Sequence, residues 1–155
     1  ISEFAKNTKI APDARYSAKD AQFDTQKNLK VVRITAVKER MLYDITRFEV
    51  KAGQPVKLEF INPDATPHNL VIVKPGSGDE VGLAATRMAA DPETAKSGQY
   101  IPKTDKVLFH TKMVPPISGE SLRFMAPTEP GEYPYICSFP GHWGVMQGDF
   151  VVAPK

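Results

Sequence analysis

Metal-binding and cross-linking residues are few in this sequence, and their scarcity excludes several kinds of site. The one cysteine, Cys137, cannot form a disulfide within the chain, and it cannot supply a cysteine-rich zinc site or an iron–sulfur cluster. Three histidines, His68, His110 and His142, limit any imidazole site to three ligands. A lone cysteine is either an inert buried thiol or a reactive or metal-bound one, so the residues around it must decide between the two.

The sequence also lacks a strong charge imbalance and a long apolar run. Lys and Arg number 20 against 18 Asp and Glu, which leaves a net charge of +2, so we expect no nucleic-acid partner bound by bulk charge. Apolar stretches such as residues 70–73 span a handful of residues, whereas a membrane-spanning helix needs about 20. The chain begins with Ile1 and shows no basic-then-apolar leader, so we interpret it as a processed or excised segment.

Length and turn-forming residues favour one domain made of strands. A chain of 155 residues buries about two-thirds of its unfolded surface, so it needs no metal to stay folded. Its 10 glycines and 14 prolines are together 24 of 155 residues, which is above their usual combined share of about 12%. This abundance of turn-forming residues favours short strands joined by turns. Alternating and β-branched residues predict strands at 29–37, 45–50, 56–60, 70–73, 106–114, 121–125, 132–137 and 149–152.

Two segments depart from this strand pattern. Apolar residues at helical spacing behind an acidic first turn predict a short helical insertion at about 79–96. Residues 1–28 are polar and follow no sustained period, so we interpret them as an N-terminal arm or linker and residues 29–155 as the domain. Seven or eight short strands at this spacing predict an all-β, antiparallel Greek-key sandwich that carries the insertion.

One loop places three potential metal ligands close together in the sequence. Cys137, His142 and Met146 lie within a single segment between two predicted strands. His68 follows an earlier strand, and Greek-key topology can bring it beside the final hairpin. Two imidazoles, one thiolate and a methionine form the trigonal His₂Cys site with a long axial Met that binds copper for electron transfer. His110, on a predicted strand, is interpreted as an ordinary structural or surface histidine.

The sequence of this loop resembles the cupredoxins, the small blue copper proteins. Residues 137–142 read Cys-Ser-Phe-Pro-Gly-His, with Met146 four residues later, and resemble the azurin and auracyanin loop; residues 67–69, Pro-His-Asn, resemble plastocyanin. The resemblance covers about residues 29–155. It implies one type 1 copper per chain. The equatorial ligands would be His68, Cys137 and His142, and the axial ligand would be Met146.

The resemblance also implies roles for residues around the ligands. The backbone N–H groups of Asn69 and Phe139 are expected to point at the Cys137 sulfur, and such donors tune a redox potential. Azurins have glycine before the first ligand histidine and this chain has Pro67, so we do not expect a fifth copper contact. Trp143 is either a partly buried loop aromatic or a surface residue for a partner. An uncharged docking patch is predicted around His142, formed by Pro67, Trp143, Gly144 and Val145.

These features predict an electron carrier and not an enzyme. Multicopper oxidases and copper nitrite reductases need a second copper centre built from further histidines, which this sequence does not supply. A copper storage or delivery protein is expected to expose Met-rich, His-rich or paired-Cys sites, and the sequence has none of these. The alternative is an electron-relay domain excised from a larger redox protein. We expect a monomer in the periplasm or another extracytoplasmic space, with redox partners such as cytochromes or copper or haem enzymes.

Overall fold

The computed structural model describes residues 16–155, so residues 1–15 of the predicted arm lie outside the described part of the chain. The strands are β1 (Lys30–Val37), β2 (Leu42–Tyr43), β3 (Arg47–Lys51), β4 (Pro55–Asn62), β5 (Val71–Val73), β6 (Val107–His110), β7 (Ser118–Met125), β8 (Gly131–Ile136) and β9 (Gln147–Ala153). They form two β-sheets that face one another, with strand orders β2-β1-β4-β7 and β3-β9-β8-β5-β6. The helices are α1 (Ala18–Asp24), α2 (Gly78–Met88) and α3 (Pro92–Ser97).

The sandwich prediction is confirmed, but two of its details are wrong. The described residues form nine strands, because β2 has only two residues and is too short to give a sequence pattern. The sheets are not purely antiparallel, since β1 pairs with β4, and β3 with β9, in parallel. Alternation of apolar residues identifies the buried face of a strand but not the direction of its neighbour, so the sequence pattern does not distinguish these pairings.

Alternating side chains from both sheets meet in the central core. In β4, Val56, Leu58 and Phe60 are fully buried, while Lys57 and Glu59 between them are only partly buried. Burying one such apolar side chain contributes about 1.5–3 kcal/mol. This core packs the two sheets against each other. Among the described residues, no helix has the length and apolar character needed to cross a membrane.

The predicted helical insertion is confirmed as two helices, α2 and α3. Val81 of α2 is fully buried and forms a second apolar cluster with Val71, Val73 and Ile136, on the outer face of the larger sheet. Strand β5 is therefore buried on both faces, because Ile72 belongs to the central core. The insertion thus covers the sheet directly beside the end of β8, where Cys137 follows.

Helix α1 lies within the segment that the sequence predicts to be an arm or linker. Its N-terminus is closed by a capping box between Ser17 and Asp20. At its other end, the Asp24 carboxylate accepts hydrogen bonds from Arg123 Nε at 2.9 Å and from a terminal guanidinium nitrogen at 3.0 Å. Lys57 lies 3.5 Å from the same carboxylate. A helix of seven residues is too short to give a sustained period, which explains why the sequence does not predict it.

Replacing Asp24 by asparagine is expected to reduce stability at neutral pH but not in acid. The hydrogen bonds from Arg123 lower the pKa of Asp24 from 3.8 to about 2, so the stabilisation is complete above about pH 5 and is progressively lost as the pH falls towards 2. The partly exposed ion pair contributes about 1 kcal/mol to the free energy of unfolding. Urea unfolding of both proteins at pH 7 and at pH 2 measures this difference. Equal midpoints at pH 7 would show that the contact contributes nothing.

Candidate metal centre

The loop between β8 and β9 holds three of the predicted site residues. Cys137 directly follows β8 and Met146 directly precedes β9, and the Cys137 N–H donates to the Met146 carbonyl at 3.0 Å. Inside the loop, the His142 N–H donates to the Phe139 carbonyl at 3.0 Å, and the Met146 N–H donates to the His142 carbonyl at 2.9 Å. These hydrogen bonds fold the loop into consecutive turns, so the backbone fixes the positions of the three side chains.

The fourth predicted residue, His68, reaches the same place through sheet pairing. It lies just before β5, and its N–H and carbonyl exchange hydrogen bonds with Val114 at 3.2 and 2.8 Å. Strand β5 pairs directly with β8, with Val71 opposite Ile136. His68 therefore lies beside Cys137 although 69 residues separate them in sequence.

The side-chain geometry brings one sulfur and two imidazoles around a common point. Cys137 Sγ lies 3.9 Å from His68 Nδ1 and 3.6 Å from His142 Nδ1, and one ligand atom from each residue lies within 4.8 Å of the others. His68, Cys137 and Met146 are fully buried, and His142 is 6% exposed. His110 lies elsewhere, on β6, with its Nδ1 2.9 Å from the Thr111 carbonyl.

The protonation of these groups suits metal binding. Burial raises the pKa of the Cys137 thiol to about 11, although backbone N–H groups of Asn69 and Phe139 lower it. Burial and the nearby His68 lower the pKa of His142 to about 4. At neutral pH the metal-free site thus holds a thiol and a neutral His142 imidazole, and a metal that binds must displace the thiol proton. A buried soft thiolate, two imidazoles and a thioether fit copper, because this set suits Cu(I) and Cu(II) moderately well.

Asn69 ties the His68 segment to the cysteine loop. Its side-chain oxygen accepts from the Ser138 N–H, and its amide group donates to Ser138 Oγ, both at 2.8 Å. Ser138 Oγ in turn donates to the Tyr100 carbonyl at 2.6 Å, and Tyr43 Oη donates to the Asn69 carbonyl at 2.7 Å. Both backbone segments beside the Cys137 sulfur are therefore fixed by side-chain hydrogen bonds. The Tyr43 hydroxyl and the Tyr100 carbonyl were not predicted from the sequence, since a tyrosine without a motif and a backbone carbonyl carry no recognisable signal.

Asp64 is the other residue that the sequence analysis missed. Its Oδ2 lies 2.9 Å from His68 Nε2, on the opposite side of the ring from Cys137, and the residue is 4% exposed. Burial acts to raise the pKa of Asp64, but hydrogen bonds from His68 and from the backbone N–H groups of Ala65 and Glu39 lower it overall. The only sequence signal for this contact is that Asp64 lies four residues before His68. That signal is weak, because a carboxylate in an Asn-Pro-Asp turn is usually solvated.

Trp143 is partly buried, and its indole packs on the insertion. A β-carbon added at Gly82 of α2 would overlap the indole ring. The indole Nε1 donates to Thr86 Oγ1 at 3.0 Å. Of the two interpretations that the sequence allows for Trp143, the partly buried loop aromatic describes this contact.

The other predicted docking residues lie at or near the surface, with Val145 53% exposed, Gly144 exposed and Pro67 half-buried.

Several known copper proteins are similar to this chain. Residues 30–153 match the family described as copper binding proteins, plastocyanin/azurin family. Auracyanin-A of Chloroflexus aurantiacus is 32% identical over 124 residues, which are 78% of this chain and 73% of the relative. Azurin of Achromobacter denitrificans is 37% identical over 87 residues, which are 54% of each chain. A crystal structure of dithionite-reduced auracyanin from Roseiflexus castenholzii matches with a TM-score of 0.71 and 32% identity, covering 81% of this chain and 98% of the other.

The family match spans the whole sandwich, and the same fold carries the buried His68, Cys137 and His142 cluster with Met146 on its loop. Sequence, fold and site therefore agree, and the chain belongs to the plastocyanin/azurin family of blue copper proteins, the cupredoxins.

Proposed function

We propose that this chain carries single electrons by means of one copper ion held by His68, Cys137 and His142, with Met146 as a weak axial ligand. The observation that carries the proposal is the buried cluster in which one sulfur and two imidazole nitrogens lie within 4.8 Å of one another. Copper bound there supplies a one-electron couple between Cu(I) and Cu(II). The four residues come from two adjoining segments, and both are fixed by backbone hydrogen bonds.

The protein contributes rigidity and exclusion of water. Cys137 and Met146 flank a closed loop, and Asn69 clamps that loop to the His68 segment through Ser138. Ligands that are fixed in this way change position little when the charge of the site changes, which favours fast electron transfer. Burial of the sulfur keeps oxidants and solvent away from the thiolate.

We propose that electrons enter and leave through His142. The residue is 6% exposed, and it lies between Gly141 and Trp143 in the loop. Gly144 and Val145 are exposed and uncharged, so a partner can approach this surface without desolvating an ion. Small, transient contacts are typical of redox encounters. The proposed partners are redox proteins such as cytochromes or copper or haem enzymes, met by the monomer outside the cytoplasm.

A positive charge at the loop tip is expected to slow electron exchange. Val145→Lys brings two like charges together when two copies of the chain meet tip to tip, so we expect the self-exchange rate of the copper-loaded protein to fall about tenfold at low salt. The visible spectrum should stay the same, because residue 145 is not a ligand. Exchange between oxidised and reduced protein, followed by NMR line broadening, measures the rate.

Val31→Lys is the matched control for this experiment. Val31 is 53% exposed, as Val145 is, but it lies near the start of β1, at the opposite end of the sandwich from His68. The control should exchange electrons at nearly the wild-type rate. Equal slowing in both variants, or no slowing in Val145→Lys, would exclude the loop tip as the site of electron exchange.

A further inference from the structure

The turn after β4 holds a buried carboxylate in a fixed position. Asp64 is 4% exposed, and its N–H donates to Asn62 Oδ1 at 3.0 Å. The Asn62 amide group donates to the carbonyls of Thr66 and Val114 at 2.9 and 3.0 Å. Val114 is also the residue that pairs with His68. Asn62 therefore connects the turn that carries Asp64 to the segment at Val114 that pairs with His68.

Each oxygen of the Asp64 carboxylate has its own partners. Oδ1 accepts from the backbone N–H groups of Ala65 at 2.8 Å and Glu39 at 3.3 Å. Oδ2 faces His68 Nε2 at 2.9 Å. An ionised carboxylate only accepts hydrogen bonds, so Nε2 must carry the proton of the imidazole. The lone pair of a neutral His68 ring then lies on Nδ1, the nitrogen that faces Cys137 Sγ.

We propose that Asp64 is a positioning residue for copper, one that sets the tautomer of His68 and biases the site towards Cu(II). The inference rests on the proposed function, since it concerns the same site. A carboxylate behind a ligand histidine fixes the orientation of the ring and makes it a stronger donor. Its buried negative charge also stabilises the more positive oxidation state, so Asp64 lowers the reduction potential.

Asp64→Asn tests the role of the charge. An amide of nearly the same shape carries no charge and cannot accept hydrogen bonds on both of its terminal atoms. We expect the copper-loaded variant to stay coloured while the ratio of its Cu(II) affinity to its Cu(I) affinity falls at least about tenfold. For a one-electron couple this is a rise in potential of about 59 mV or more. Potentiometric titration and chelator competition in each oxidation state measure the two quantities.

Asp24→Asn provides the control for this variant. Asp24 is also a hydrogen-bonded carboxylate and is partly buried, but it lies on α1 and pairs with Arg123 instead of a site residue. Its replacement should leave the potential and the affinity ratio at their wild-type values. An Asp64→Asn protein with an unchanged potential and affinity ratio would overturn the proposal.

The tautomer can be read in the wild-type protein without copper, which keeps the proposal testable even if Asp64→Asn does not fold. Nitrogen-15 NMR of the metal-free chain at neutral pH should show His68 protonated at Nε2, with a slowly exchanging proton. Protonation at Nδ1 instead would overturn the proposal. A wild-type protein that binds copper without an intense colour would contradict the proposed function, whereas a coloured protein that fails these tests contradicts only the role of Asp64.

Discussion

Replacing Cys137 by serine is expected to abolish the intense visible absorption of the copper-loaded protein. That absorption arises from charge transfer between the thiolate sulfur and Cu(II), and a serine oxygen is a harder, poorer donor. The Cys137 side chain is fully buried between His68 and His142, and the sequence has no other cysteine that could supply a thiolate in its place. Absorption spectra of the wild type and the variant, each with one equivalent of Cu(II), measure the difference in the intensity of the visible band.

The fold itself should survive this substitution. Serine is nearly the same size as cysteine, and a buried hydroxyl without a full set of partners costs about 1–3 kcal/mol, less than the stability of a domain of this length. Cys137→Ala, which buries no hydroxyl, is the companion variant. If either variant kept the intense band with a native circular dichroism spectrum, Cys137 would not be the ligand that produces the colour.

Replacing Gly82 by alanine is expected to destabilise both the fold and the copper site. Alanine normally favours a helix over glycine by about 1 kcal/mol. Here the new methyl group would overlap the Trp143 indole, which must move. Overpacking of this kind costs about 1–3 kcal/mol. Because Trp143 follows His142 directly, we also expect faster loss of copper to a chelator.

Gly78→Ala is the matched control on the same helix. A β-carbon at Gly78 lies 3.5 Å from the Pro134 side chain, which is an ordinary contact. Its free energy of unfolding should equal or exceed that of the wild type. Urea unfolding and chelator-driven copper release in both variants measure the two effects. Unchanged stability and copper release in Gly82→Ala would show that the indole is not constrained by α2.

The parts of the site that lie close together in sequence were predictable. Cys137, His142 and Met146 share one loop, and the sequence of that loop resembles the ligand loop of the cupredoxins. His68 needed the Greek-key interpretation, which the β5–β8 pairing then explains. The role of Asp64 was not predicted, because its position depends on hydrogen bonds with Asn62 and with Glu39, which lies in a distant segment. Contacts of this kind depend on the three-dimensional path of the chain, which a local pattern does not encode.

In the fold, too, features that depend on a local sequence pattern were predictable, and features that depend on contacts between distant segments were not. The alternation in β4 and the helical spacing in α2 were correctly interpreted because each reflects burial of one face. The parallel pairing of β1 with β4 was not predicted, since strand direction leaves no trace in such a pattern. The environment of Trp143 could not be assigned from the sequence. Its indole packs against Gly82, where there is room for the ring only because glycine has no side chain.

The central claim, that one copper ion in this chain carries one electron reversibly, is tested most directly by an anaerobic redox titration of the copper-loaded protein. We expect one equivalent of reductant per chain to bleach the visible band, and one equivalent of oxidant to restore it fully over repeated cycles. The donor set of His68, Cys137, His142 and Met146 suits both oxidation states, so copper should stay bound throughout. Loss of copper on reduction, uptake of more than one electron per chain, or the absence of an intense band would contradict the account.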